Sequence, residues 1–134
     1  KYVEPNSIGE LILGSACYYV ETIPFIKGWK LITINNLEDP IFVKKDRIIE
    51  GDGYVFFEVL TDHIKPDKFG DRSVKTYIQG DCRLNRQKYL SAFFSTTQMG
   101  QGPGETITPP DEWEYPDSNS AGEDVLNWVC DYIK

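Results

Sequence analysis

The sequence predicts an α+β domain in which a β-sheet is followed by one C-terminal helix. Three observations predict it. Between residues 29 and 96, runs of β-branched and aromatic residues alternate with turn signals. After residue 120 the spacing turns helical behind a capping box. A chain of 134 residues that is 40% hydrophobic and 13% aromatic is long enough for one buried core and too apolar for disorder throughout.

The elements follow in order. Residues 1–16 form a weakly patterned extension punctuated by Pro5, Asn6, Gly9 and Gly14. Ala16–Ile23 reads as a strand that Pro24 and Gly28 interrupt. Trp29–Ile34 alternates, with Trp29, Leu31 and Thr33 on one face and Lys30, Ile32 and Ile34 on the other. Pro40–Val43 is a short strand, Lys44–Glu50 a loop or partial strand, and Gly51-Asp52-Gly53 a strong turn signal. Tyr54–Leu60 (YVFFEVL) is the most strand-like segment of the chain. Lys65–Arg72, with Pro66 and Gly70, reads as a loop.

Ser73–Cys82 and Arg83–Thr96 read as two long strands turning about Asn85. In the second, Leu84, Arg86, Lys88, Leu90, Ala92 and Phe94 share one parity, and Tyr89 and Phe93 share the other with Asn85, Gln87 and Ser91. Neither face is cleanly apolar, which predicts a bulge. Gly100–Ser120 holds three Gly and four Pro in 21 residues. A loop of that length in a compact domain is usually functional or disordered.

Ser120 then opens the helix, with Glu123 completing the capping box and Asp124 adding a second acid at the positive end of the dipole. Val125, Trp128, Val129, Tyr132 and Ile133 follow at helical spacing, flanked by Leu126, with Asn127 and Asp131 opposite and Cys130 at the margin. At about three turns such a helix does not stand alone, so it must lie on the sheet.

The formal charge of −7 is unevenly placed. Residues 1–88 carry thirteen basic and thirteen acidic side chains, whereas Tyr89–Ile133 has no Lys or Arg and eight acids. An acidic chain lacks the basic footprint of nucleic-acid binding, which is excluded. No apolar run approaches the roughly 20 residues of a membrane span. Leu11–Cys17 (LILGSAC) has a faint lipoprotein-like look, but its apolar stretch is too short and Glu4 and Glu10 stand where basic residues belong. No targeting signal is read in these residues, and one removed before residue 1 would leave no trace.

Three cysteines permit one bridge and one free thiol. A Cys82–Cys130 disulfide would tie helix to sheet, and closing a loop of about 49 residues stabilises by roughly 4 kcal/mol in the chain-entropy model. Two buried thiols in a reducing compartment are the alternative. Cys17, left over, reads as a small buried residue or as a point of intermolecular attachment. There is no CxxC, and the single histidine, His63, cannot complete a zinc site with these spacings.

His63 reads as an exposed loop residue without an oriented partner, since the adjacent Asp62 points the other way along a strand. No nucleophile elbow or phosphate loop appears, and Met99–Gly104 (MGQGPG) is a poor phosphate cradle. Asp117–Trp128 matches a calcium loop at three positions but lacks the closing bidentate acid. The acids Asp111, Glu112, Glu114 and Asp117 therefore read as a solvated acidic loop, and no metal or cofactor is expected. Arg83, Arg86 and Lys88 form one basic spot, which docks the acidic loop or a partner's carboxylates if it is not simply a solvated strand face. Trp113 and Tyr115 are either plugs over the seam between sheet and helix or anchors for a partner, the residue types that dominate binding hot spots.

Several segments together carry a resemblance. Gly80–Leu90 (GDCRLNRQKYL), Met99-Gly100 with its Gly-rich sequel, Trp113-Glu114-Tyr115-Pro116 and Pro116–Cys130 (PDSNSAGEDVLNWVC) follow one order. Upstream, Trp29, Ile41-Phe42-Val43, Tyr54–Leu60 and Ser73 fit as well. The chain resembles the surface-adhesin protein E-like family of bacterial extracytoplasmic proteins from Trp29 to Cys130, about three-quarters of its length. The resemblance implies a mostly antiparallel sheet of about six strands, with the C-terminal helix on one face and a disulfide between Cys82 and Cys130. It implies residues 29–134 as the domain and 1–28 as an extension that the family does not cover. It also places the protein outside the cytosol, in the periplasm, at the cell surface, secreted or in a thylakoid lumen. Within the family it is more similar to the small secreted proteins, including cyanobacterial ones, than to the host-binding adhesins, whose binding residues do not map onto it.

The function expected is that of a non-catalytic, extracytoplasmic protein-interaction module with a protein partner. Trp113, Tyr115, Asp111, Glu112, Glu114 and Asp117 are the candidate contacts. The alternatives are an accessory or assembly subunit on the lumenal or periplasmic side of a membrane complex, possibly a photosynthetic one, docking through residues 1–28, and an uncharacterised enzyme.

Overall fold

The computed structural model describes residues 28–134. The Ala16–Ile23 strand, Cys17 and all but the last residue of the 1–28 arm lie outside the described residues. Strands β1 (Trp29–Ile34), β2 (Pro40–Lys44), β3 (Ile49–Gly51), β4 (Tyr54–Asp62), β5 (Ser73–Asp81), β6 (Arg86–Ser95) and β7 (Gly104–Ile107) precede helix α1 (Ala121–Tyr132). They form one seven-stranded antiparallel sheet in the order β1-β2-β4-β5-β6-β7, with β3 pairing the start of β4. Two of these strands, β3 and β7, have weak sequence signals. The loop expected over 100–120 is interrupted by β7, a fully exposed edge strand between Pro103 and Pro109.

Turn chemistry sets the hairpins. Asp52 (φ 55°) and Gly53 (φ 84°) make the two-residue turn between Gly51 and Tyr54, both in the left-handed region that such hairpins demand. Asn85 (φ 58°) closes the β5–β6 turn, and Asp81 Oδ1 accepts the N–H groups of Arg83 (3.1 Å) and Leu84 (3.2 Å) within it. The bulge expected in β6 is present: Tyr77 pairs with Ser91 and Ile78 with Tyr89, so Leu90 is the extra residue. That insertion puts Tyr89 and Gln87 on the same face as Ala92, which is why neither parity of the sequence is clean. A second irregularity in β1 skips Ile32, which joins the helix-side cluster while Trp29 and Leu31 pack on the other face.

The inner face of the sheet is buried beneath α1, and the outer face is buried in part, with Tyr77 and all of β7 exposed. On the inner face Ile41, Val43, Val55, Phe57, Val59 and Ile78 meet Val125, Leu126 and Val129 of α1. Burying each such side chain contributes about 1.5–3 kcal/mol, which is what docks a helix too short to persist alone. Its N-terminus is capped as the sequence predicts: Ser120 Oγ accepts Glu123 N–H (3.1 Å), and Glu123 Oε1 reaches back to Asn119 N–H (2.8 Å). Near the other end Cys82 and Cys130 are disulfide-bonded, with Cα atoms 5.8 Å apart, tying α1 to the end of β5. On the outer face Phe42 and Leu60, both fully buried, pack with Trp29 and Leu31 beneath Met99, the centre of the turn that follows β6.

Candidate functional site

The proline-rich segment after β7 is strapped back onto β6. Glu114 and Gln87 exchange backbone hydrogen bonds of 2.8 Å and 2.7 Å, an isolated antiparallel bridge near the start of β6. The register gives the strap its sidedness. Arg86 and Lys88 pair with Asp81 and Gln79, and Gln79 pairs with Phe56, so all lie on the outer face with Tyr54.

Trp113 packs on that outer face. Its ring centroid is 5.6 Å from that of Tyr54, 4.1 Å from the Arg86 guanidinium carbon and 4.7 Å from Lys88 Nζ. The plug reading of Trp113 is therefore corrected in position: it fills the side of the sheet away from the helix, because the bridge at Glu114 turns the residue before it outward. Each cation over the ring contributes about 0.5–1 kcal/mol at a part-exposed site.

The basic spot docks the acidic loop. Lys88 Nζ pairs with Asp111 Oδ1 at 2.8 Å. Arg86 Nε donates to Asp81 Oδ2 at 2.9 Å. Asp81 is fully buried, and that burial pushes its carboxyl up. The bonds from Arg86 and from the N–H groups of Leu84 and Arg83 outweigh it and hold the group below the usual carboxylate range. The interaction with Asp81, first, and the nearby Tyr115 hydroxyl hold the Arg86 guanidinium more firmly charged than usual. Arg83 is exposed and takes no part in the strap.

Of the candidate contacts, then, Trp113 and Asp111 are engaged within the molecule. Tyr115 remains 63% exposed, and Glu112, Glu114 and Asp117 are exposed. None of those three carboxylates forms an ion pair among the described residues. Glu114 acts only at a distance: after burial, its charge is the second influence raising the Tyr89 hydroxyl. The described residues hold no group of three or more potential metal ligands. An open groove of about 390 Å³ runs between the Gly51–Val55 hairpin, Cys82 and Ile133, with Glu50 and Asp52 at its rim. No helix among the described residues is long and apolar enough to cross a membrane.

His63 is not the exposed loop residue expected. Its Nδ1 lies 2.9 Å from Asp39 Oδ2, and Asp39 Oδ1 accepts Ile64 N–H at 2.8 Å. This clamp joins the β1–β2 turn to the β4–β5 loop. Asn35 Oδ1 supports it by accepting from Leu37 and Asp39 N–H. The Asn35-x-x-x-Asp39-Pro40 run is the local signal for this turn, but its partner is 24 residues away.

Comparison with known proteins gives a consistent result. The family model described as surface-adhesin protein E matches residues 29–131. One solved structure of Haemophilus influenzae protein E superposes with a TM-score of 0.57 at 15% identity, covering 78% of this chain and 84% of that one. A second, its crystal form II, gives 0.58 at 16%, covering 80% and 91%. At these identities the likeness is one of fold. No curated protein matches.

Proposed function

The chain belongs to the surface-adhesin protein E family, and from that premise we propose that it is a non-catalytic, extracytoplasmic protein-interaction module of small secreted or surface type. The Cys82–Cys130 bond supports the compartment, because structural disulfides persist where the surroundings are oxidising. The observation that carries the interaction reading is the strap. A segment rich in proline is held in one conformation by the Glu114–Gln87 bridge and the Trp113 wedge. It presents Tyr115 and the carboxylates of Glu112, Glu114 and Asp117 to solvent. A pre-ordered aromatic among unpaired charges loses little freedom on binding and suits a partner with a basic, partly apolar surface.

The test is recovery of bound proteins from native membranes and culture fluid, identified by mass spectrometry, with two variants as bait. One joins Tyr115→Ser to Glu112→Gln, Glu114→Gln and Asp117→Asn. The other lacks residues 1–28. Loss of a specific partner with the strap variant, its melting temperature unchanged, is the expected result. Retention by the strap variant and loss on deletion of 1–28 would overturn the strap and support the docking-arm alternative.

A further inference from the structure

We propose that the open groove between the Gly51–Val55 hairpin and the end of α1 binds an arginine side chain presented by a protein partner. The proposal rests on the interaction reading and adds to it a second contact with its own chemistry.

The groove is built on the core. Its volume of about 390 Å³ falls in the range of roughly 300–1,000 Å³ usual for ligand pockets. Val55, Cys82 and Ile133 give it an apolar lining, and Val55 and Ile133 belong to the cluster beneath the helix. A Cβ at Gly53 would meet nothing within 4 Å, so the hairpin side is open to an approaching chain. Tyr54 completes the lining, and its ring centroid lies 5.6 Å from that of Trp113, which joins the groove to the strap.

The charges at the groove are all negative. Glu50 and Asp52 are exposed at its rim, and neither carboxylate has an ion pair or hydrogen bond among the described residues. The groove also lies at the carbonyl end of α1, where a helix carries about half a negative charge. Ile133, the residue that caps this end, forms one wall, and the last turn holds no basic residue. Lys134 is engaged with Asp131 at 3.2 Å, and Arg83, exposed beside Cys82, does not line the groove. An apolar slot under negative charge from three sources complements a cation carried on an apolar stem.

Arginine fits this combination better than lysine or a polyamine. Its planar guanidinium offers five donors, enough to serve both carboxylates and the helix end. It is more weakly hydrated than an ammonium and so loses less on entering a partly apolar slot. Its aliphatic stem suits the Val55 and Ile133 lining. A polyamine spreads several charges along its length and would set some of them against that lining.

The test is titration of the isotope-labelled full-length protein with the capped tripeptide acetyl-Gly-Arg-Gly-amide, followed through amide chemical shifts. The expected result is saturable shifts at Gly51, Gly53, Val55, Cys82 and Ile133 and none along the strap. Joining Glu50→Gln to Asp52→Asn should weaken binding roughly tenfold, since each exposed carboxylate contributes up to about fivefold. Asparagine suits the left-handed turn position of Asp52, and Glu50 is exposed, so the double variant should keep the wild-type spectrum away from the groove. Equal binding of the peptide with citrulline or lysine in place of arginine, tighter binding of spermidine, unchanged binding by the double variant, or shifts spread over all the surface acids overturns the proposal. The strap variant of Tyr115, Glu112, Glu114 and Asp117 should bind the peptide as the wild type does. Absence of peptide binding while strap-dependent capture of a partner persists overturns the groove alone.

Discussion

Arg86 serves Trp113 and Asp81 at once: its guanidinium carbon lies 4.1 Å from the Trp113 ring centroid while its Nε donates to Asp81 Oδ2 at 2.9 Å. The exposed strap and the buried end of β5 therefore share one side chain. Trp113→Ala should free the strap and destabilise the domain by about 2 kcal/mol, through lost packing on Tyr54 and lost cation–π contact. Arg86→Ala should cost more than Trp113→Ala, because it also leaves Asp81 buried and short of a partner. Chemical denaturation of both variants and of the double variant checks this, and the two losses should not add.

Reduction of the Cys82–Cys130 bond, which spans 48 positions, should lower stability by about 2–5 kcal/mol. Urea unfolding with and without reductant measures it. Alkylation of unreduced protein followed by peptide mapping should leave Cys82 and Cys130 unlabelled.

Global stability should depend on pH through the buried Asp62. Its folded pKa of about 7 lies above the unfolded 3.8, so the native state holds the proton more tightly. Its contribution is whole below about pH 4 and is lost as the pH rises to 7, by at most about 4 kcal/mol. Asp62→Asn should unfold at higher urea than the wild type at pH 7.5, and the difference should close toward pH 4.

Gly80 of β5 faces Leu126 of the helix with no room for a side chain. A Cβ there would stand 3.1 Å from Leu126, Phe57 and Val55 side chains at once, all buried. Gly80→Ala should destabilise by about 1–3 kcal/mol through overpacking, visible as a lower melting temperature with the disulfide intact.

Much of the fold was legible because its signals are local. The Ser120–Glu123 box, the spacing of Val125 and Val129, the Asp52-Gly53 turn and the density of Tyr54–Leu60 each act within a few residues. The bulge in β6 was legible as a conflict between parities, although its position at Leu90 emerges only from the pairing with β5. β7 was not legible, since Glu105-Thr106-Ile107 lies between prolines and becomes a strand only by borrowing the edge of β6.

The candidate site divides in the same way. The sequence by itself determined that basic and acidic-aromatic segments lie either side of a Gly/Pro-rich stretch, and that the helix must dock. Only the tertiary structure decided that Trp113 packs over Arg86 and Lys88 and that Asp111 pairs with Lys88 at the surface, leaving Tyr115, Glu112, Glu114 and Asp117 outside. It alone brought Asp39 to His63 and Met99 to Asp62, pairs 24 and 37 positions apart. The physical reason is range. Caps, turns and periodicity are set by neighbours along the chain, whereas desolvation and ion pairing depend on which strands lie side by side, and that register is fixed only when the sheet buries its apolar face.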